Sequence, residues 1–487
     1  MNTVSNYILT LPLKTEKFQE DILNKKFEEC RNIYNACISQ LHKRYNHMRE
    51  SKEYQRICKM AKGKDRNKKF NNINKIYNIT EYSLHKYAKY MCKYYKMDAQ
   101  ATQKIATRAW DAFSGLMFHT AKHVKYKAYG ELNSIEGKTN SQGIRYRDGK
   151  LLFLKLKVPV IIKSKDIYAE QSLENPIKYC RIKREIMKGK YHYYVQLILE
   201  GVPPTKLNNE TGELKGLIGE GNVGIDIGTQ TIAYSSQFEC KLLELAPDVD
   251  NIENIKRVLS RKLDRQRRAN NPNKYNENGT IIKGNREKWN KSKNYFETYN
   301  KLKDIQRKQS SIRKQSHNIL ANQLLNLGNK FYVETMNYSG LQRRSKNTTI
   351  NPKTGKFNKK KRFGKSITNK APSMFLTILD NKLKWNGEKL YKINTYKVKA
   401  SQYNHFDEKY NKKQLSERWN YFNVNNEEIK IQRDLYSSFL IMNVKDNLEE
   451  IDRDLCNETY DNFKYLHDNE INRLLSNNDK KISSMGI

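Results

Sequence analysis

Val223-Gly224-Ile225-Asp226-Ile227-Gly228-Thr229 is the stretch on which the reading of this chain turns. Apolar residues alternate there with one acid and two glycines, and the β-prone run Thr231-Ile232-Ala233-Tyr234 follows. The pattern predicts a buried strand bearing one carboxylate at a tight backbone site, then a turn into a second strand. A carboxylate in such an apolar run is costly unless a metal or a positive partner compensates it. Taken alone, the stretch leaves Asp226 either a metal ligand or a turn-capping Asp.

Composition narrows the partners. The 487 residues suffice for two or three domains with substantial cores. Lys and Arg number 92 against 52 Asp and Glu, a formal net charge of +40. Such an excess repels itself in a compact state unless a polyanion neutralises it, so nucleic acid is the expected partner. AT-rich coding would raise Lys, but it would supply Glu as well and does not account for the imbalance. Seven scattered cysteines include no C-x-x-C pair, which leaves neither a disulfide framework nor a cysteine zinc site. No apolar run is long enough to cross a membrane and no signal-like apolar core opens the chain. The expectation is a reduced, cytoplasmic protein with no membrane partner, at the nucleoid when bound to DNA.

Along the first half, Ser5–Leu13 reads as one strand. Helical spacing follows through Phe18, Ile22, Leu23, Phe27, Cys30, Ile33, Tyr34 and Cys37, and a basic, interrupted segment runs from Lys43 to Lys75. A second helical region spans about 80 to 118, and its aromatics, from Tyr82 to Trp110, are expected in the core. Gln100, Gln103 and Lys104 are polar positions on it that could reach base edges, since Gln can pair bidentately with adenine. Past Lys122 the period changes to that of strands. Gly143 to Phe153 predicts a hairpin across Asp148-Gly149. With the strands near 158–162, 179–183 and 192–199 this implies a small β-barrel carrying a helical insertion. Pro203 to Gly221 reads as a linker.

The second half supplies two more acids. Residues 251 to 325 are helical in pattern and densely basic, with Arg257, Arg261, Arg265 and Arg268 recurring before an Asn- and Gly-rich break at Asn270 to Gly284. Such a pair of helices is either a solvated bundle or a cradle for a nucleic-acid backbone. Lys330 to Glu334 repeats the opening logic, a short apolar strand ending in one acid. Gln342 to Gly364 predicts a mobile basic loop, Pro372 opens a helix through Leu383, and Leu390 to Tyr396 is strand-like. Asp434 follows Arg433 at or near a helix start, where helix capping is the plain alternative. From Asp446 onward ten Asp and Glu face five Lys and Arg, which reads as an acidic, partly helical or disordered appendage.

Two strand-borne acids and one helix-borne acid, far apart in sequence, form the ligand set of an RNase H-like nuclease. Two-metal phosphodiester cleavage needs hard oxygen ligands holding two Mg²⁺ about 4 Å apart. The G-I-D-x-G stretch at Asp226, the V-E-x-x-x-x-x-G-L stretch at Glu334 and the R-D-L-x-x-S stretch at Asp434 resemble the three RuvC motifs of TnpB proteins. These are transposon-encoded, RNA-guided nucleases related to compact type V CRISPR effectors. The resemblance covers about residues 1–445. It implies an α/β and α+β multidomain fold: a wedge β-barrel (1–15 and 119–220), a helical recognition insert (16–118) and an RNase H-like RuvC domain (221–445). It implies Asp226, Glu334 and Asp434 as catalytic ligands of two Mg²⁺, a guide RNA derived from the transposon end, and double-stranded target DNA recognised beside a short motif. Gln100, Gln103 and Lys104 fall where such proteins read that motif, and Arg257, Arg261, Arg265, Arg268 and Arg433 are expected on nucleic-acid backbone.

The chain departs from the family at one point. Ser401-Gln402-Tyr403-Asn404-His405-Phe406-Asp407 has Asn404 and Asp407 where the family places cysteines, and no second pair precedes Asp434. Asn and Asp are poor structural-zinc ligands beside thiolates, so no zinc is expected. Residues 397–432 are then a degenerate zinc-finger-like insert, with Trp419, Tyr421 and Phe422 expected to replace the metal by an apolar cluster. Two other readings remain: a stand-alone CRISPR effector, or a guided DNA-binding regulator of transposition or transcription.

Overall fold

The computed structural model describes residues 5–206, 211–214, 217–285, 287–343, 347–352, 355, 363–414, 416–424, 427–476 and 485–487. They form two compact units that divide after Pro204, inside the expected linker.

In the first unit, β1 (Asn6–Pro12) leads into α1 (Lys17–Glu50), α2 (Lys52–Lys59), α3 (Lys64–Ile76), α4 (Glu81–Tyr95) and α5 (Ala99–Met117). Leu23, Phe27, Cys30, Ile33, Cys37 and Leu41 on α1 are fully buried at three- and four-residue spacing, whereas Phe18 and Ile22 face solvent. The aromatic reading of α4 is corrected: Tyr82, Tyr90 and Tyr94 are 76–82% exposed, and Leu84 and Ala88 make the buried face. Strands follow as β2 (Ser134–Glu136), β3 (Arg145–Arg147), β4 (Lys150–Phe153) and β5 (Leu156–Pro159), then α6 (Ile167–Leu173), β6 (Ile177–Met187) and β7 (Lys190–Glu200). The hairpin forms across Asp148-Gly149, both at positive φ (49° and 68°), as a two-residue turn of this hand requires. The expected barrel is two sheets, β1-β7-β6-β2 and β3-β4-β5, joined at one corner by a bridge between Leu13 and Val160.

The second unit opens with the antiparallel meander β8 (Asn222–Ile227), β9 (Thr231–Ser235) and β10 (Cys240–Glu244). The long helices α7 (Val249–Ala269) and α8 (Lys293–Leu325) then lead to β11 (Lys330–Glu334). After α9 (Tyr338–Leu341), α10 (Gly364–Lys370) and α11 (Pro372–Trp385) comes β12 (Leu390–Ile393). β11 runs parallel to β8 and β12 parallel to β11, giving a mixed five-stranded sheet of order β10-β9-β8-β11-β12. Of the basic segment between Gln342 and Gly364, residues 344–346, 353–354 and 356–362 lie outside the described residues.

Side chains alternate between the two faces of this sheet. Val223, Ile225, Ile227, Phe331 and Val333 pack with Leu320 and Leu324 of α8 and Phe375 and Leu379 of α11. On the other face, Ala233, Leu242, Tyr332 and Ile393 meet the remaining elements. These are α12 (Thr395–Val398), the paired strands β13 (Tyr403–Asn404) and β14 (Lys409–Tyr410), and the hairpin β15 (Trp419–Val424) and β16 (Glu427–Gln432). Helices α13 (Arg433–Met442) and α14 (Arg453–Ser476) complete that layer.

The acidic segment after Asp446 is therefore no appendage. Ile451, Cys456, Phe463 and Met485 are buried in the same core as Leu435 and Phe439. Apart from the buried Glu470, the acids of α14 are exposed or half-buried, which hides the apolar side from a compositional reading.

Candidate active site

Asp226 is the half-buried residue between the buried Ile225 and Ile227 near the end of β8, and the β8–β9 turn is closed by the Gly228 N–H to the Thr231 carbonyl (2.9 Å) rather than by its carboxyl. Gly224 lies two residues back, so it shares a sheet face with Asp226. A Cβ on Gly224 would stand 2.1 Å from the Ser438 carbonyl oxygen and 2.3 Å from the Met442 nitrogen, so α13 rests directly on bare strand there. Ser438 Oγ is 2.7 Å from Ser235 Oγ on β9, a buried bond that fixes the crossing. From Ser438 back to Asp434 is four helical residues, about 6 Å of rise. From Gly224 forward to Asp226 is two strand residues, about 6.6 Å. The two steps match, and α13 thus delivers Asp434 to the level of Asp226.

Glu334 arrives by register. Val333 pairs with Ile225 in the parallel ladder, which sets Glu334 beside Asp226 at the strand ends. It has the parity of Tyr332, whose side chain is in the α13-side core. All three acids are partly exposed at one end of one sheet face.

Their electrostatics bear the proximity out. Burial raises the Asp226 carboxyl well above the ordinary carboxylate range, and the charges of Asp434 and Glu334 raise it further, against a smaller opposing influence from Arg433. Burial also raises Glu334. The Tyr338 hydroxyl donates to the Ile227 carbonyl (3.3 Å), and burial followed by the Asp226 charge raises its pKa. Ser437, buried on α13, favours the charged form of Asp226. Neither Tyr338 nor Ser437 announces itself in sequence as a neighbour of Asp226; each falls on an unspecified position of its motif.

Asp434 does not cap its helix. Gln432 does, its Oε1 accepting from the Leu435 N–H (2.9 Å). The Asp434 carboxylate instead accepts from Arg433 Nε and Nη2 (3.1 and 2.9 Å), with Arg418 Nη1 3.6 Å from its other oxygen. Among the described residues no three Asp, Glu, His or Cys side chains close round one point as a finished metal cage. The donor set nevertheless suits a hard divalent ion, being all carboxylate and drawn from two strands and a helix.

The other expected contacts divide. Arg257, Arg261, Arg265 and Arg268 form one exposed row along α7, opposite the buried Leu263. Arg433 donates to Asp434 and to the Glu417 carbonyl (3.0 Å). Gln100 Oε1 accepts from the Lys138 and Thr139 N–H groups (3.2 and 3.3 Å), Gln103 Oε1 accepts from Lys138 Nζ (2.6 Å), and Lys104 Nζ is 3.1 Å from Glu136. These three residues tie α5 to the end of β2 and the loop after it.

The cysteine-less insert is ordered by turns and rings. Asn404 and Asp407 accept from the N–H groups two residues on, Phe406 (3.2 Å) and Lys409 (3.1 Å), so each closes an Asx turn where a thiolate would stand. His405, fully buried and pushed down to about 4 by burial, stacks among Phe406, Tyr436 and Tyr460 with Phe422 alongside. The expected cluster is corrected in membership: Phe422 joins it, Tyr421 is 56% exposed, and Trp419 turns to donate to the Gly486 carbonyl (2.9 Å).

No protein-family model and no curated protein matches the chain. Among solved structures it is similar to a cryo-EM structure of the Cas12f1–sgRNA–target DNA complex, at 10% identity and a TM-score of 0.39, over 89% of this chain and 98% of that one. It is also similar to a cryo-EM structure of a CRISPR–Cas12f ternary complex, at 11% identity and a TM-score of 0.27, over 88% of this chain and 82% of that one. No helix among the described residues is long and apolar enough to cross a membrane.

Proposed function

We propose that this protein is an RNA-guided DNA endonuclease whose cutting centre is Asp226, Glu334 and Asp434. The observation that carries the reading is the convergence of these three acids, over a hundred and two hundred residues apart, on one end of one sheet face. The antiparallel meander continued by parallel strands supports an RNase H-like sheet. The net charge of +40 supports a polyanionic partner. The three motifs, in TnpB order, support a guide RNA and a transposon origin.

In this reading the three carboxylates would hold Mg²⁺, and the chemistry it would supply there is activation of water and charge stabilisation for cleavage of a phosphodiester. The chain's own part is positional. Gly224 lets α13 sit low enough to bring Asp434 to Asp226, and the ladder sets Glu334 beside it. Arg433 and Arg418 hold the Asp434 carboxylate in place. The exposed arginines of α7 are available to phosphates.

The test is cleavage of DNA by the full-length protein purified with its copurifying RNA, that RNA being sequenced to design the target. Mg²⁺-dependent cutting is expected. Asp226→Ala should lower it by about a thousandfold, the equivalent of several kcal/mol of lost transition-state stabilisation. Absence of cutting by the parent protein on a matched target overturns the reading, and binding without cutting would favour a guided regulator instead.

A further inference from the structure

Helix α13 carries an acid of the site, so whatever fixes its first turn fixes that acid. Gln432, the residue that caps it, is fully buried, and its backbone and side-chain polar groups each have a partner. Its Oε1 takes the Leu435 N–H. Its backbone N–H donates to His467 Nε2 (3.0 Å), and its side-chain amide donates to the Met485 carbonyl (3.0 Å). Both of those partners belong to the segment after Asp446.

That segment is itself firmly seated. His467 accepts through Nε2, so its Nδ1 bears the proton and donates to Asp468 (2.9 Å). Phe463, one turn earlier, stacks on Phe439 of α13 with centroids 4.3 Å apart. Glu470, one turn later and buried, accepts the Leu242 N–H of the edge strand β10 (3.0 Å) and pairs with Arg473 (2.7 Å) and Lys241 (3.4 Å). At the far end, a Cβ on Gly486 would stand 2.3 Å from the Cβ of Arg418, whose guanidinium faces Asp434. The segment therefore touches the sheet edge, the core side of α13, the cap of α13 and the stem of an arginine beside the acid.

We propose that α14 and residues 485–487 are a positioning element of the cutting centre, acting through His467 and the Met485 carbonyl on Gln432 and thereby on Asp434. His467 is a positioning residue: it orients the helix start and touches no reacting atom. The inference deepens the nuclease reading and rests on it for its consequence in catalysis, while the bracing itself stands on the bonds above. Groups standing behind a metal ligand in this way typically change metal affinity or activity by about 10- to 100-fold when removed.

The experiment uses full-length protein with His467→Phe, which keeps ring bulk beside Phe463 and Trp419 but offers no acceptor, and His467→Gln, which keeps an acceptor at similar reach. Hydrogen exchange is followed at Gln432–Ser437, and Mn²⁺ binding is followed by calorimetry. In His467→Phe, exchange at that turn should quicken about tenfold or more while β8 is unchanged. Mn²⁺ affinity should fall about 10- to 100-fold, and cleavage turnover should fall in step with an unaltered KM for target DNA. His467→Gln should restore most of each. If His467→Phe fails to fold, Gln432→Met, which removes the cap while filling the buried space, takes its place with the same readouts. Parent-like exchange and Mn²⁺ affinity in the variant overturn the proposal, even where the melting temperature drops. Should the parent protein cut no DNA, the nuclease reading fails alone, and the exchange measurement still decides whether the segment braces the helix.

Discussion

Asp226 and Asp434 meet at one site under opposite conditions. Asp226 stands at a buried strand end, where burial and two neighbouring acids oppose its charge. Asp434 stands in the first turn of a helix, where the dipole favours an anion, and two guanidiniums face it. The first is a charge the fold resists, and the second is one the fold compensates. In the proposed centre, a cation would relieve Asp226 more than Asp434.

The largest effect that would break this pairing is geometric. Gly224→Ala places a methyl group where the Ser438 carbonyl and Met442 nitrogen now lie, and backbone cannot yield as a side-chain tip can. Overpacking of this kind should cost about 1–3 kcal/mol, and displacing α13 by about 1 Å should slow cutting roughly a hundredfold. Chemical denaturation and a cleavage time course check the two effects separately. A parent-like cleavage rate would mean that Asp434 is not held by the Gly224 crossing.

Arg433→Gln sharpens the second half of the comparison. Losing the pair of bonds to Asp434 should lower metal-free stability by about 1–2 kcal/mol. If the guanidinium occupies the place of a cation, millimolar Mg²⁺ should raise the melting temperature of the variant more than that of the parent. Equal shifts would separate Arg433 from the metal-binding role of the site.

Asp226→Asn gives the smallest effect and the clearest sign. Its folded pKa lies above the ordinary 3.8, so the folded state holds that proton more tightly than the unfolded chain does. Its contribution to stability is whole below about pH 4 and is lost as pH rises through the raised folded value. Asn suffers no such loss. The variant should be more stable than the parent near pH 7, with the difference closing toward pH 4. Paired denaturation curves at the two pH values test this, and a difference that does not depend on pH would contradict it.

What was legible in the sequence was local. Alternation and turn chemistry gave the strand at Asp226 and the hairpin at Asp148-Gly149, and helical spacing gave the buried face of α1. The acids could be gathered only by the order of their motifs, because register and helix crossing are long-range facts. Gln100, Gln103 and Lys104 looked free for the same reason, their partners lying more than thirty residues away in Glu136, Lys138 and Thr139. The segment after Asp446 was obscured by composition. Its buried Cys456, Phe463, His467 and Glu470 are few, two of them are polar, and exposed or half-buried acids dominate the count.

The glycines at the base of the sheet have a further consequence. A Cβ on Gly328 would stand 2.4 Å from the Gly221 carbonyl oxygen, and one on Gly219 2.3 Å from that of Asn326. The chain leaving for β8 and the chain returning from α8 thus cross backbone to backbone, just before Asn222 pairs with Lys330. Everything from β8 to the end of α8 therefore begins and ends at one crossing. The crossing ties the starts of β8 and β11 together directly, so the register that sets Glu334 beside Asp226 is held at its base and not through the outer part of the helix pair.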